Sequence, residues 1–313
     1  MFRRKTVFVI GAGASAPAGF PTGRQLLSQA RLRSPNEMHQ FTQGAIALDQ
    51  AEQLSNTLRM TLVSSIDVML EHRQDLWPAG KRLISALLIN QETRFRATIQ
   101  DVPEDWLSWI FERMSDGCIG LDAFGANPVS FVTFNYDRLL EYRLVNGLAA
   151  RYQSTSLRAS EVLKHLPVIH LHGSIGPIFH AQEPSAQELI PFGGDDAGVA
   201  FGRAMNGAEQ NIQVVYEAVP ESPAFKRARK LLQSADQVVF LGFGFAQSNV
   251  DRLALDHLPN TTDIYCSTYG MSLAEIDHYI CKAVTQLPRG RIHEGVTNES
   301  LLAFLLNHVS MAY

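Results

Sequence analysis

The chain alternates between short apolar runs and longer segments in which apolar positions recur at helical spacing. Thr6–Ile10 (TVFVI) is β-branched with no polar alternation, as expected of a strand buried on both faces. From about Gln25 to Met114 strand-like runs are nearly absent. There, segments such as Ala45–Leu70 and Lys81–Ile89 carry a helical period, and Pro35, Pro78 and Pro103 divide them into several helices. Strand character returns at Pro128–Phe134 (PVSFVTF) and Pro167–Leu171 (PVIHL). A stretch from Ser174 to about Val219, with glycines at 193, 194, 198 and 202, reads as irregular. Pro223–Ser234 reads as a helix, Gln237–Leu241 (QVVFL) and Asp263–Ser267 (DIYCS) as strands, and Leu301–His308 as a terminal helix. Strands separated by helices, each ending in a Gly-rich or polar turn, predict an α/β fold: a Rossmann-like, doubly wound parallel sheet. The expected organisation is an α/β domain over 1–24 and 126–313, interrupted by a helical insertion over 25–125. No internal repeat or low-complexity segment is present.

Composition narrows the function classes. The 313 residues are 46% hydrophobic and 19% charged, which is a globular balance. A net charge of −4 offers no general attraction to nucleic acid or to an anionic membrane. The basic residues Lys226, Arg227, Arg229 and Lys230 read as a solvated helix face. No apolar run approaches the roughly 18 residues that span a bilayer. The apolar stretch after Met1-Phe2-Arg3-Arg4-Lys5 is broken at once by Gly11, Gly13 and Ser15, so a cytoplasmic location is expected. Cys118, Cys266 and Cys281 never form a C-x-x-C pair, which supports neither a disulfide framework nor a cysteine zinc site; buried reduced thiols are expected, and no metal.

Gly11-Ala12-Gly13-Ala14-Ser15 follows the first strand as G-x-G-x-x-A, the turn by which glycines let backbone approach a pyrophosphate. An ordinary dehydrogenase would next show a second strand ending in an acidic residue about 20 residues on. Here Glu37 follows a Pro-Asn turn with no β-branched run before it, and that reading fails. The restricted loop Gly19-Phe20-Pro21-Thr22-Gly23-Arg24 suits a lid over a bound nucleotide. Three further segments stand at predicted strand ends, where open α/β sheets bind ligands. They are Thr133-Phe134-Asn135-Tyr136-Asp137, His170-Leu171-His172-Gly173-Ser174 and Gly242-Phe243-Gly244-Phe245.

Together these motifs resemble the SIR2, or sirtuin, family. G-A-G-A-S at 11–15 is similar to its first phosphate motif. Gly19–Arg24 resembles G-I-P-D-F-R, keeping Pro21 and Arg24 but carrying Thr22 and Gly23 in place of Asp and Phe. T-F-N-Y-D at 133–137 resembles T-Q-N-I-D, L-H-G-S at 171–174 matches the catalytic histidine motif, and Gly242-Phe243-Gly244 stands where sirtuins carry Gly-Thr-Ser. The resemblance covers residues 6–24 and 128–267 and implies NAD as substrate. It implies that Asn135 orients water or the ribose, that Asp137 holds the nicotinamide carboxamide, and that His172 acts as general base. Gly11, Ala12, Gly13 and Ser15 would cradle phosphates, Gly242 and Gly244 would admit the adenosine side, and Ser267 would contact its ribose. The plain alternatives are that Asn135 and Asp137 cap a helix beginning near Arg138 and that His170 is structural.

Deacylating sirtuins carry two cysteine pairs on zinc after the histidine motif, and no cysteine occurs here between Ser174 and Cys266. The helical insertion and F-N-Y-D resemble instead the bacterial SIR2-like effectors of anti-phage defence. That branch implies hydrolysis of NAD to ADP-ribose and nicotinamide, with control by homo-oligomerisation or by a partner such as a HerA-like ATPase or a HAM1-like nucleotide pyrophosphatase. Two other functions are open to the sequence: a zinc-less acyl or ADP-ribosyl transferase, and a non-catalytic module sensing NAD or ADP-ribose.

Overall fold

The computed structural model describes residues 1–98, 102–178, 189–195, 198–214, 222–281, 284 and 288–309. Six strands, β1 (Thr6–Ile10), β2 (Val129–Thr133), β3 (Val168–His170), β4 (Gln237–Leu241), β5 (Asp263–Cys266) and β6 (Ile292–Glu294), form one sheet. Their order is β3-β2-β1-β4-β5-β6 and every pairing is parallel. This is the order of a doubly wound Rossmann sheet, whose crevice lies where the winding reverses, between β1 and β4.

Alternation within the strands divides the core. Phe8, Ile10, Phe131, Val239 and Leu241 share one face with Trp106, Leu107, Ile110, Leu144 and Phe304. Val7, Val9, Val132, Val238 and Phe240 share the other with Phe225, Ala228 and Val250. Burial on both faces explains why these strands read as unbroken apolar runs. The helices covering the sheet include α6 (Trp106–Ser115), α8 (Leu139–Arg151), α11 (Pro223–Gln233), α12 (Gln247–Leu253) and α14 (Leu301–His308), with α7 (Leu121–Gly125), α9 (Ser156–Val162) and α13 (Leu273–Glu275) between them.

A third core is helical. It contains α1 (Gly23–Arg31), α2 (Pro35–Phe41), α3 (Leu48–Met60), α4 (Ile66–Glu71) and α5 (Trp77–Thr98), joined by α10 (Val199–Asn211). The helical period of Ala45–Leu70 is therefore two helices, separated by Thr61–Ser65. Residues 106–125 pack with the sheet rather than with this helical core.

Two readings are corrected. The stretch from Ser174 to Val219 contains α10, whose Ala200, Ala204, Met205 and Ala208 are buried, the first three in the core shared with α5. Gly202 and Gly207 masked that period, and packing against α5 outweighs their low helix propensity. Residues 179–188, 196–197 and 215–219 of the same stretch lie outside the described residues. β6 was not anticipated, because a half-buried three-residue edge strand carries no apolar run. Of the cysteines, Cys266 is buried but Cys118 only partly so; both are free thiols, and the side chain of Cys281 lies outside the described residues. Lys226, Arg227 and Lys230 are exposed, as expected. No described helix is long and apolar enough to cross a membrane.

Candidate active site

The first glycine turn does not open directly into an α-helix. Gly11–Gly19 forms two 3-10 turns, over Ala12–Ala14 and Ala16–Ala18, and α1 begins only at Gly23, where Thr22 and Gln25 make a reciprocal capping box. Within the turn, Gly11 N–H donates to Leu241 O, Gly13 N–H to Gly242 O, Ala14 N–H to Gly11 O and Ser15 N–H to Ala12 O. A Cβ on Gly11 would stand 2.5 Å from Gly242 O, and one on Gly242, where φ is +56°, would stand 2.1 Å from Ala14 N. What these glycines accomplish in the fold is to press the β1 and β4 turns together backbone to backbone. Ser267, buried at the end of β5, accepts the Gly242 N–H at 2.9 Å and so fixes the second turn from below. A Cβ on Gly244 would meet nothing, and this residue is exposed.

The end of β2 is brought against the first turn. Thr133 Oγ1 accepts the Asn135 N–H at 3.0 Å, which tightens the chain just beyond the strand. Asn135 Nδ2 then donates to Gly11 O (3.2 Å) and Ser15 Oγ (3.1 Å), and Ser15 Oγ donates to Asp137 Oδ1 (3.2 Å). Asp137 Oδ1 also accepts the Leu139 N–H at the start of α8, so the capping alternative holds for Asp137 alongside its link to Ser15. Burial pushes the Asp137 carboxyl up to about 6, against the hydrogen bonds that favour its charge. The cavity beside Ser15, Asn135, Asp137 and His170 measures about 10 Å³, about the room of a single water. Asn135 Oδ1 is buried without a partner.

The two histidines of β3 and its following loop have opposite environments. His170 Nδ1 lies 2.8 Å from Asn135 O and Nε2 lies 2.7 Å from Glu141 Oε1. Both neighbours are acceptors, which favours the doubly protonated ring. Burial alone would lower its pKa, but the Glu141 charge and hydrogen bond outweigh burial and raise it. His172 is 3% exposed; neither ring nitrogen makes a well-formed hydrogen bond, and the Asn249 side chain is a polar group beside it. Its ring sits 5.5, 6.4 and 5.9 Å from those of Phe134, Tyr136 and Phe225. Burial first, and the Arg252 charge second, push it down to about 4, so it is neutral at physiological pH.

The helical layer reaches this edge. Tyr136 Oη donates to Asp67 Oδ1 of α4 at 2.5 Å, and the charge of Glu71 on the same helix acts on Arg252 of α12. Arg138 pairs with Glu92 of α5 and reaches the carbonyls of Gly176 and Ile190. Sequence reasoning named none of Asp67, Glu92, Glu141, Asn249 or Arg252. Only Glu141, four residues after Asp137, has a spacing that could have drawn notice. In the loop expected as a lid, Phe20 is buried, with its ring 6.1 Å from Phe95. Pro21 is half-buried, and Arg24 is exposed on α1, beside a surface hollow lined by Leu27, Arg31 and Val63 and by none of the other expected site residues. No cluster of three or more His, Cys, Asp or Glu placed to hold a metal occurs among the described residues.

A parallel sheet in Rossmann order, with two glycine turns meeting at the winding reversal and polar strand-end loops beside them, defines a doubly wound α/β protein with its crevice at the usual ligand-binding edge. Within that class, residues 129–265 match the family model of the SIR2-like domain, from the first residue of β2 to the penultimate residue of β5. The match places a SIR2-like domain over these residues, and such a domain points to NAD-related chemistry. No curated protein matches it closely enough to count as similar.

Proposed function

We propose that this protein hydrolyses NAD to ADP-ribose and nicotinamide. The observation that carries the reading is His172: a buried, neutral imidazole with no well-formed hydrogen bond at either nitrogen, in the loop just past a strand end of a SIR2-like domain. Buried polar atoms left unpaired in the free protein are those a ligand or reacting water satisfies. Asn135 Oδ1 is a second such atom, and its Nδ2 is already fixed by Gly11 and Ser15, so the acceptor is aimed in advance.

In the reaction, water adds to ribose C1′ as the bond from C1′ to the nicotinamide nitrogen breaks. The bonding pair goes to the pyridinium nitrogen and discharges it, and His172 takes the proton released by the water. Asn135 orients the water or the ribose hydroxyls through Oδ1. Asp137 acts through Ser15, which it holds in place to brace Asn135, since the space beside it has the room of one water rather than of a nicotinamide ring. Its cellular role, in this proposal, is depletion of NAD during phage infection. The basis is the likeness of F-N-Y-D and the helical layer to that branch, with the trigger supplied by oligomerisation or a second chain.

The test is NAD consumption by purified wild type, Asn135→Ala and His172→Ala, with products separated chromatographically. Wild type is expected to release ADP-ribose and nicotinamide one to one. Both variants are expected to lose at least about a hundredfold in rate. Full activity in His172→Ala would remove the proposed base, and labelled protein or acyl-ADP-ribose in place of free ADP-ribose would make the protein a transferase.

A further inference from the structure

Helix α12 follows the second glycine turn and lies between two non-glycine residues in left-handed conformation, Phe245 (φ 49°) and Ala254 (φ 51°). A Cβ disfavours this region, and such residues persist where the surroundings impose them, most often at functional sites. Phe245 is held by packing of its buried ring at 5.2 Å from Phe240 and 4.9 Å from Phe243. Val250 and Leu253 seat the helix on the sheet.

The polar side chains of α12 are less settled. Asn249 Oδ1 and Arg252 Nη1 are buried without a well-formed hydrogen bond, as are both nitrogens of His172, whose ring the Asn249 side chain adjoins closely enough to favour its protonated form. The groups facing His172 are Asn249 and Arg252 from α12, Tyr136 from the loop after β2, with Asp67 of α4 behind it, and the rings of Phe134 and Phe225. Glu71 of α4 acts on Arg252 from the other side. The unsatisfied set is thus one amide acceptor, one guanidinium donor and one neutral imidazole. A sugar hydroxyl satisfies the first and an anionic oxygen the second. The unit carrying both is a ribose phosphate.

We propose that Asn249 and Arg252 bind a ribose-phosphate unit of the dinucleotide beside His172, Arg252 donating to a phosphate oxygen and Asn249 accepting from a ribose hydroxyl. The inference rests on the NAD reading above and assigns two contacts to it. It carries a consequence for the base. In the free protein the Arg252 cation disfavours protonation of His172, and a phosphate bound to Arg252 offsets that charge and strengthens the base. Substrate binding therefore prepares the proton acceptor.

The experiment titrates ADP-ribose and adenosine, by calorimetry, into wild type, Arg252→Gln, Arg252→Lys and Asn249→Ala. Alongside, the His172 imidazole is followed by NMR against pH, its signal assigned by loss in His172→Gln. Arg252→Gln is expected to weaken ADP-ribose about ten- to a hundredfold while leaving adenosine unchanged. Arg252→Lys is expected to lose less, and Asn249→Ala about three- to tenfold. His172 should titrate at higher pH in Arg252→Gln than in wild type, and ADP-ribose should raise it in wild type only. Wild-type affinity for ADP-ribose in Arg252→Gln, equal loss of ADP-ribose and adenosine, or an unmoved His172 titration would each overturn the assignment. A wild type that binds ADP-ribose with this pattern but cleaves no NAD would leave this assignment standing while the hydrolase reading failed for the protein acting without its trigger. A wild type that binds neither ligand would sink both.

Discussion

Breaking the Glu92–Arg138 pair is expected to destabilise the protein more than any single change in the candidate active site. Arg138 Nε and Nη2 reach Glu92 Oε1 and Oε2 at 3.0 and 2.5 Å, and Nη1 donates to the carbonyls of Gly176 and Ile190 at 3.0 and 2.5 Å. Glu92 Oε2 also accepts the Gly193 N–H at 3.0 Å. The two side chains are 1% and 0% exposed. Arg138 thereby ties the loop after β2, the loop after His172 and α5 into one node. Removing either partner leaves a buried charge without its counterion, at a cost of about 3–5 kcal/mol. Unfolding entropy for a chain of 313 residues is about 0.7 kcal/mol/K, so each kcal/mol lowers the melting temperature by about 1.5 °C. Glu92→Leu and Arg138→Met should therefore each melt about 4–8 °C below wild type. The double variant removes both charges but orphans the carbonyls of Gly176 and Ile190 and the Gly193 N–H, so it remains destabilised, by less than the two singles combined. Thermal melts of the four proteins supply the cycle. Additive effects, or singles costing under about 1 kcal/mol, would refute the claim that this ion pair organises the node.

Two further outcomes follow from the site. A folded pKa of about 4 at His172, against an ordinary value near 6.5, removes stability as pH falls through that window. A folded pKa of about 6 at Asp137, against about 3.8, removes it as pH rises from 4 to 6. Relative to wild type, His172→Phe should gain stability on acidification and Asp137→Asn on alkalisation, each by up to about 3 kcal/mol, read from urea midpoints; parallel profiles would contradict both assignments. Among the glycines, Gly242→Ala drives a Cβ to 2.1 Å from Ala14 N and should cost several degrees of melting temperature, whereas Gly244→Ala enters open space and should melt within about 1 °C of wild type.

How far the sequence carries depends on whether a feature is local. β1, β2 and β4 were legible because strands buried on both faces must be continuously apolar, and nothing beyond their own residues decides that. Arg291-Ile292-His293-Glu294 has no such requirement at the sheet edge, and α10 is made helical by α5, more than a hundred residues earlier. The glycines at 11, 13 and 242 were legible as turn residues, yet their packing on one another depends on β1 and β4 being neighbours. Asn249, Arg252 and Glu92 stand in no motif. Their roles come from which side chains three-dimensional packing leaves buried, paired or unpaired.

The histidines show how that packing divides labour between identical side chains two residues apart. His170 meets a carbonyl and a carboxylate, which favour its protonated form and tie its ring to the backbone of Asn135. His172 meets aromatic rings and a guanidinium, so its charged form is the unfavourable one and a lone pair stays available. Exchanging the environments would exchange the roles. The L-H-G-S motif points to His172 by resemblance; the surrounding charges supply the reason that His172, and not His170, is equipped to accept a proton.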